Sequence, residues 1–145
     1  MITYVTLFFI VAGMAFALYY RSEERTRFLR RDADDIAAAL KAGERWRADI
    51  RAAHAMPQAD EKGIHLRNRT EDIHYFTRDN AVWRQVADRR PVLMLGNVKN
   101  SAMLKEQRQI VAGWKWDVEL LTRQKNARVR PLFTFFAVQE KGATP

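Results

Sequence analysis

The sequence predicts an α+β fold in which one long N-terminal helix packs on an antiparallel β-meander. Three observations support this prediction. The chain opens with an uncharged apolar run, Ile2–Tyr20, and continues to Ala53 without a proline. From Phe28 onward the apolar positions recur every three or four residues, which is the period of a helix. After Pro57 the period changes to two, which indicates strands separated by short polar turns.

The apolar run Ile2–Tyr20 is predicted to be a transmembrane anchor over residues 1–20. At about 19 residues it approaches the ~20 that a helix needs to cross a hydrocarbon core. A cleaved signal peptide would carry basic residues before the run and a small-residue cleavage site after it. No Lys or Arg precedes the run, and its last residues are Leu18, Tyr19 and Tyr20. Because tyrosine suits the membrane–water interface, we expect a retained anchor rather than a signal peptide or a buried core helix.

Residues 21–56 are predicted to extend the same helix as an amphipathic segment. Its apolar positions form one narrow stripe, and the opposite face is charged. About two heptads between Leu29 and Leu40 are too few to indicate a coiled coil. A stripe that contains a glycine and a tryptophan is typical of a helix on a sheet, because glycine allows close backbone approach. The residues expected to pack on the sheet are Leu29, Ile36, Leu40, Gly43, Trp46 and Ile50.

Residues 57–140 are predicted to form an antiparallel β-sheet domain, and residues 141–145 a loose tail. The segment Lys99–Val111 is polar and is compatible with either a loop or a short helix. Since the strands are joined by short links, we expect a single meander with one aromatic core face. The six predicted strands are Ile64–Arg67, Asp72–Thr77, Ala81–Val86, Val92–Leu95, Trp114–Leu120 and Val129–Val138.

The composition limits the chemistry that the chain can perform. With no cysteine, disulfides, thiol catalysis and cysteine-based zinc sites are excluded. His65 and His74 become cross-strand neighbours if their strands pair, but a metal site needs three or four ligands, and the sequence indicates no others. No phosphate-binding loop, nucleophile elbow or zinc-protease motif occurs, and Ser22 and Ser101 have no evident base. We therefore predict a non-enzymatic protein without catalytic residues, metal, cofactor or small-molecule substrate.

The net charge of +8 fits an anionic partner such as lipid head groups or nucleic acid. Aromatic residues on a sheet with flanking bases can stack nucleotides. Here the aromatic residues alternate as those of a core do, which makes nucleic acid the less favoured partner. The residues concerned are Arg67, Arg69, Arg78, Arg84, Arg89 and Arg90, with Tyr75, Phe76 and Trp83 between them.

The order of the predicted segments resembles a known family. The segments in question are the helix end Trp46–Ala53 and strands at Ile64–Leu66, Ile73–Tyr75, Val82–Arg84, Trp114–Trp116 and Pro131–Phe133. A membrane-spanning helix that runs on as an amphipathic helix and packs on such a meander resembles type IV pilins and type II secretion pseudopilins. The local sequence is most similar to minor pseudopilins of the J type.

This resemblance implies a pilin-like structural subunit of a type II secretion or type IV pilus-like apparatus, with an assembly or tip role in protein transport. Its partners would be the lipid bilayer and other pilin-like subunits, contacted through the N-terminal helix. It implies a single-pass protein of the inner (cytoplasmic) membrane with a periplasmic C-terminal domain. Small residues allow helices to approach closely in lipid, and here they are Ala12, Gly13, Ala15 and Ala17.

Two features differ from the family pattern. The opening residues Met1–Val5 show no basic leader, Gly cleavage site or Glu, which indicates an unprocessed divergent subunit or a start further upstream. Five arginines between Arg21 and Arg31 follow the apolar run, and the positive-inside rule would place the C-terminal domain in the cytoplasm. The alternatives are therefore a bitopic membrane scaffold or regulatory protein with a cytoplasmic β domain, or a membrane-tethered nucleic-acid binder.

Overall fold

The structure, a computed structural model, describes residues 2–60, 63–107, 112–122 and 131–139. Within these ranges the chain forms one long helix followed by eight strands in two antiparallel sheets. The α+β class predicted from the sequence is confirmed. The tail predicted over residues 141–145 lies outside the described residues.

The helix α1 runs over Ile2–Ala52 and contains 51 residues. It contributes to two compact units of the chain, Met1–Asp35 and Ile36–Pro145. In the first unit, Arg27 donates a hydrogen bond of 2.7 Å to Glu23 one turn earlier. Such pairs at a spacing of four residues support an exposed helix.

Apolar side chains of the first unit are exposed. Tyr4 is 78% exposed and Phe8 is 69% exposed. The other large side chains that share this exposure are Leu7, Phe9, Ile10, Val11, Met14, Phe16, Leu18, Tyr19 and Tyr20. In the part of the chain that the structure describes, no helix is both long enough and apolar enough to cross a membrane. The anchor over residues 1–20 stays a prediction.

The first sheet has five strands in the order β1-β2-β3-β4-β5, and every neighbouring pair is antiparallel. Asp79 and Asn80 both have positive φ, 53° and 55°, and form the tight turn between β3 and β4. This turn places His74 and Tyr75 opposite Gln85 and Arg84. The bounds are β1 Gln58–Ala59, β2 Gly63–Arg67, β3 Asp72–Arg78, β4 Ala81–Val86 and β5 Val92–Leu95.

The second sheet has three strands, β6 Val98–Gln107, β7 Ala112–Leu120 and β8 Leu132–Val138, in that order. The single meander expected from the sequence is therefore wrong, because β6 pairs with β7 and not with β5. At the start of β6, Asn97 has a positive φ of 56°, and its carbonyl accepts a hydrogen bond of 2.6 Å from the N–H of Leu121. These features direct the chain out of the first sheet.

Strand β6 corrects the ambiguous interpretation of Lys99–Val111, most of which is strand rather than loop or short helix. Residues 108–111 lie outside the described part. Of the side chains described in β6, only Val98 and Met103 are buried. An edge strand with so few inward apolar residues does not show the alternation from which strands are recognised.

The last part of α1 is buried among both sheets. Trp46 is fully buried, and its ring centroid lies 5.8 Å from that of Trp116 in β7. Gly43 is buried against Phe135 of β8, and a Cβ atom at this position would overlap the phenylalanine ring. The ring is fixed between Trp116, at 5.4 Å, and the guanidinium of Arg47, at 5.3 Å.

Half of the residues expected to pack on the sheet do not do so. Leu29, Ile36 and Leu40 are 70%, 43% and 50% exposed, whereas Gly43, Trp46 and Ile50 are buried. Because close approach of the helix backbone requires small side chains, α1 turns toward the sheets the face that carries its alanines and Gly43. This face consists of Ala39, Ala42, Gly43, Trp46, Asp49, Ile50 and Ala53.

The C-terminal end of α1 is tied to both sheets by hydrogen bonds. The amide of Gln139, just after β8, donates to the carbonyl of Ala53 at 2.8 Å and to that of Ala55 at 3.2 Å. The N–H of His54 donates to the carbonyl of Arg67, the last residue of β2, at 2.9 Å. These bonds satisfy backbone groups of the residues that directly follow α1 and connect them to β2 and to the end of β8.

We expect Gly43→Ala to lower the free energy of unfolding by about 1–3 kcal/mol, because the added methyl group overlaps a ring that cannot move. This loss should occur even though alanine is the better helix former by about 1 kcal/mol. Urea denaturation of the full chain measures it. The control is Gly96→Ala, since nothing lies within 4 Å of a Cβ atom there. Stabilisation by Gly43→Ala would contradict the packing described here.

Candidate functional site

A buried carboxylate joins α1 to the first sheet. Asp49 is 7% exposed, and its Oδ2 atom accepts two hydrogen bonds of 2.7 Å, from the hydroxyl of Tyr75 and from Nε of Arg84. Nε of Arg45 lies 3.6 Å from the other oxygen, Oδ1. A carboxylate out of water needs both an opposite charge and hydrogen bonds, and this arrangement supplies them.

Two members of this network, Tyr75 and Arg84, keep their protons at neutral pH. Burial raises the pKa of the Tyr75 hydroxyl far above its usual value, and the adjacent Asp49 charge raises it further. Burial lowers the pKa of Arg84, but the hydrogen bond to Asp49, the Asp49 charge and the contact with Tyr75 together outweigh burial, so that the pKa is raised. Since neither partner exchanges a proton near pH 7, the network is suited to holding α1 in place rather than to acid–base chemistry.

A second polar cluster lies on the first sheet, where His65 of β2 is directly opposite His74 of β3. Their rings are parallel, with an interplanar angle of 8° and centroids 3.7 Å apart. The cross-strand neighbours expected from the sequence are therefore present. Residues directly opposite each other on paired antiparallel strands share one face of the sheet.

Asp60 completes this cluster from the turn between β1 and β2. Its Oδ1 atom accepts a hydrogen bond of 2.6 Å from the N–H of Gly63. Its Oδ2 atom lies 3.3 Å from Nε2 of His65. One ligand atom from each of Asp60, His65 and His74 lies within 4.8 Å of the others, so the three side chains could hold a metal ion.

His74 differs from His65 in its surroundings. Its Nε2 atom is buried and has no hydrogen-bond partner among the described residues. Burial lowers the pKa of the imidazole, the neighbouring His65 lowers it further, and Asp60 acts in the opposite direction. His74 is therefore neutral at pH 7, with a lone pair on one ring nitrogen.

A cleft of about 850 Å³ lies beside the two histidines. Its lining is mixed, with polar side chains from the β2–β3 turn and from β3 and β4. The polar lining residues include Arg67, Asn68, Glu71, Asp72 and Gln85. The cleft gives solvent and small solutes access to this face of the first sheet.

The arginines considered for nucleic-acid binding largely contact carboxylates. Nε of Arg84 lies 2.7 Å from Asp49, and a terminal guanidinium nitrogen of Arg89 lies 2.8 Å from Glu71. Two further ion pairs are longer. Nε of Arg67 lies 3.6 Å from Oδ1 of Asp72, and Nε of Arg78 lies 3.4 Å from Oδ2 of Asp79. Of the aromatic residues, Tyr75 is fully buried, so its face is not open to a base.

The residues predicted to support helix assembly lie in the exposed stretch of α1. Ala12, Gly13, Ala15 and Ala17 are all exposed, and nothing lies within 4 Å of a Cβ atom built at Gly13. Searches of protein-family models, curated proteins and solved structures found no match to this chain. The relationship to pilins stays a prediction.

The sequence alone did not identify the carboxylates of Asp49 and Asp60 as members of these two clusters. Asp49 interrupts an otherwise apolar stripe three residues after Trp46, and a charge at such a position is a signal for a buried partner. Asp60 lies three residues before Gly63, a spacing that allows a side chain to bond a later backbone N–H in a turn. That it reaches His65 could be known only from the fold.

Removing the Asp49 carboxylate should be costly, because it leaves Arg84 as a partly buried charge without its counter-ion. We expect Asp49→Ala to lower the free energy of unfolding by about 3–5 kcal/mol in urea denaturation. The double variant Asp49→Leu with Arg84→Met should lose much less than the sum of the single variants. As a matched control, Glu71→Gln breaks an exposed pair and should cost under about 1 kcal/mol. Equal losses at Asp49 and Glu71 would argue against a buried network.

Proposed function

We propose that this chain is a non-enzymatic, membrane-anchored structural subunit of a pilin-like assembly, of the type II secretion or type IV pilus kind. One observation supports this above all. A single continuous helix, Ile2–Ala52, exposes large apolar side chains throughout its first part and has its last part in the core of a small β domain. Contiguous exposed apolar surface of this kind is a mark of contact with lipid or with another protein.

The exposed stretch has the composition needed for helix association in lipid. Because lipid tails are as apolar as the side chains, helices associate there through close packing between small residues. Gly13 and Ala17 are four residues apart and therefore lie on one face of α1. Ala12 and Ala15 supply a second small face. Lipid before assembly, and the equivalent helices of partner subunits afterwards, would cover these side chains.

The second unit supports a mechanical role. Its core is built around α1 residues from Ala39 onward, and Asp49 fixes the helix to β3 and β4 through Tyr75 and Arg84. Tyr75 and Arg84 hold their protons at neutral pH, because the pKa of each is raised. A helix held this firmly in a folded domain is suited to transmitting force and position between subunits. In this proposal the β domain presents surfaces to other subunits or to cargo.

A bitopic scaffold or regulatory protein with a cytoplasmic β domain is the second candidate. It is favoured by the arginines that directly follow the apolar run, between Arg21 and Arg31. Under the positive-inside rule these residues stay on the cytoplasmic side of the membrane. The two candidates share the anchor and differ in the compartment of the β domain.

Membrane fractionation and a topology reporter test the anchor and separate the two candidates. The full chain should stay in the membrane fraction after alkaline extraction, while a variant lacking residues 1–20 should be released. A phosphatase fused after Pro145 should be active only if the β domain lies outside the cytoplasm. Phosphatase activity supports the pilin-like subunit, and a reporter that is active only in the cytoplasm supports the second candidate. Release of the full chain by alkaline extraction would contradict both.

Cysteine cross-linking tests helix association, and the absence of native cysteines makes single-cysteine variants unambiguous. In membranes of cells that carry the complete apparatus, Gly13→Cys and Ala17→Cys should give cross-linked species under mild oxidation. The control is Val11→Cys, which lies about 140° away around the helix from the Gly13–Ala17 face. Equal cross-linking at all three positions would indicate random collision rather than a packed face.

A further inference from the structure

We propose that Asp60, His65 and His74 form a binding site for a divalent transition-metal ion, for which Zn²⁺ is the best fit. The site lies on the first sheet, and the proposal does not depend on the membrane anchor. Two imidazoles and one carboxylate are donors that Zn²⁺ accepts readily, whereas Mg²⁺ and Ca²⁺ prefer oxygen ligands alone. The sequence indicated only His65 and His74 as possible ligands. The structure adds the third ligand, Asp60, which lies outside the two strands that carry the histidines.

The fold already brings the donors together. The register of β2 and β3 places His65 opposite His74 on one face, with the rings 3.7 Å apart. One donor atom of each ligand lies within 4.8 Å of the other two. Since zinc–nitrogen and zinc–oxygen bonds are about 2.0–2.2 Å long, the donors of a tetrahedral site are ~3.3 Å apart. Imidazole lone pairs lie in the ring plane, and the two rings are stacked, so the His65 ring must turn about its χ angles before both nitrogens face one ion. His65 is half-exposed and has room to turn.

The Asp60 carboxylate is oriented by its own hydrogen bond. Gly63 N–H binds Oδ1 at 2.6 Å, and this directs Oδ2 toward His65 at 3.3 Å. Metal sites commonly hold ligating side chains in place with such outer hydrogen bonds. Gly63 is also packed tightly, because a Cβ atom there would overlap the backbone of Tyr75. Gly63, whose N–H orients the carboxylate, is therefore held close to β3.

His74 supplies an independent reason to expect a ligand. Its Nε2 atom is buried and lacks a hydrogen-bond partner among the described residues. Buried polar atoms in native proteins are nearly always satisfied by protein, water or an ion. A metal ion bound at this nitrogen, in the plane of the His74 ring, would satisfy it. Three protein ligands leave one coordination position open, and the cleft beside the histidines gives access to it.

Zinc titration of the full chain tests the proposal. The untagged protein is treated with EDTA, dialysed and titrated with ZnCl₂ at pH 7.5 against a chromophoric zinc chelator. We expect one zinc ion per chain, and at least about tenfold weaker binding in each of Asp60→Asn, His65→Gln and His74→Gln. The chain has three histidines, so His54→Gln is the matched control and should bind as the unmodified protein does. Magnesium chloride at millimolar concentration should not compete.

Two further readouts make the result decisive. Circular dichroism of the metal-free variants shows whether they are folded, and X-ray absorption of the zinc complex should show two imidazoles in the coordination shell. No zinc binding at micromolar concentrations would overturn the proposal. So would equal weakening by His54→Gln and His74→Gln, or displacement of zinc by magnesium. In those cases Asp60 acts only as a hydrogen-bond and ion-pair partner of His65.

Discussion

The buried face of α1 between Ala39 and Ala53 is the contact on which the second unit depends. The two sheets share no strand pairing among the described residues, and the buried face of α1 contacts both of them. Gly43 and Trp46 meet the second sheet through Phe135 and Trp116, while the first sheet is reached by Asp49. Apolar contact supplies most of the driving force for such packing, but it is not directional. A helix on an apolar surface could rotate about its axis at little cost in free energy unless a directional contact fixes its orientation.

The Asp49 network provides that orientation. A buried ion pair contributes little net stability, because desolvation offsets much of the attraction, but an unpaired partner is strongly unfavourable. Any rotation of α1 that separates Asp49 from Tyr75 and Arg84 therefore carries a large penalty. The same rotation determines which residues face the core. It places Ala39 and Ala42 inward and leaves Ile36 and Leu40 half exposed, although the latter pair is more hydrophobic. At this interface the polar contacts of Asp49 have therefore had more influence on the orientation of α1 than the burial of Ile36 and Leu40.

The local features of the fold were predictable from the sequence, and the non-local ones were not. The long helix was recognised, although it ends at Ala52, four residues before the end predicted at 56. The strands Ala81–Val86 and Val92–Leu95 were placed correctly, because a period of 3.6 or 2 is a local signal. The division into two sheets depends on where the chain turns after β5, and β6 buries too few side chains to show its period. The pairing of His65 with His74 followed from a short connection. The approach of Asp60 depends on a turn whose geometry no spacing rule specifies.

The apolar sequence of the first unit, Met1–Asp35, is not explained by the folding of the second unit. Every buried apolar side chain among the described residues lies at Ala39 or later, so the core is complete without the first part of α1. Yet eleven of the seventeen residues from Tyr4 to Tyr20 are aromatic or branched aliphatic. Exposed apolar area is costly at roughly 25 cal/mol per Å² and promotes aggregation. A chain that carries such a stretch without using it for its own core gains from it only when another molecule, lipid or protein, covers it. This reasoning supports the proposal that lipid or another protein covers the exposed stretch of α1.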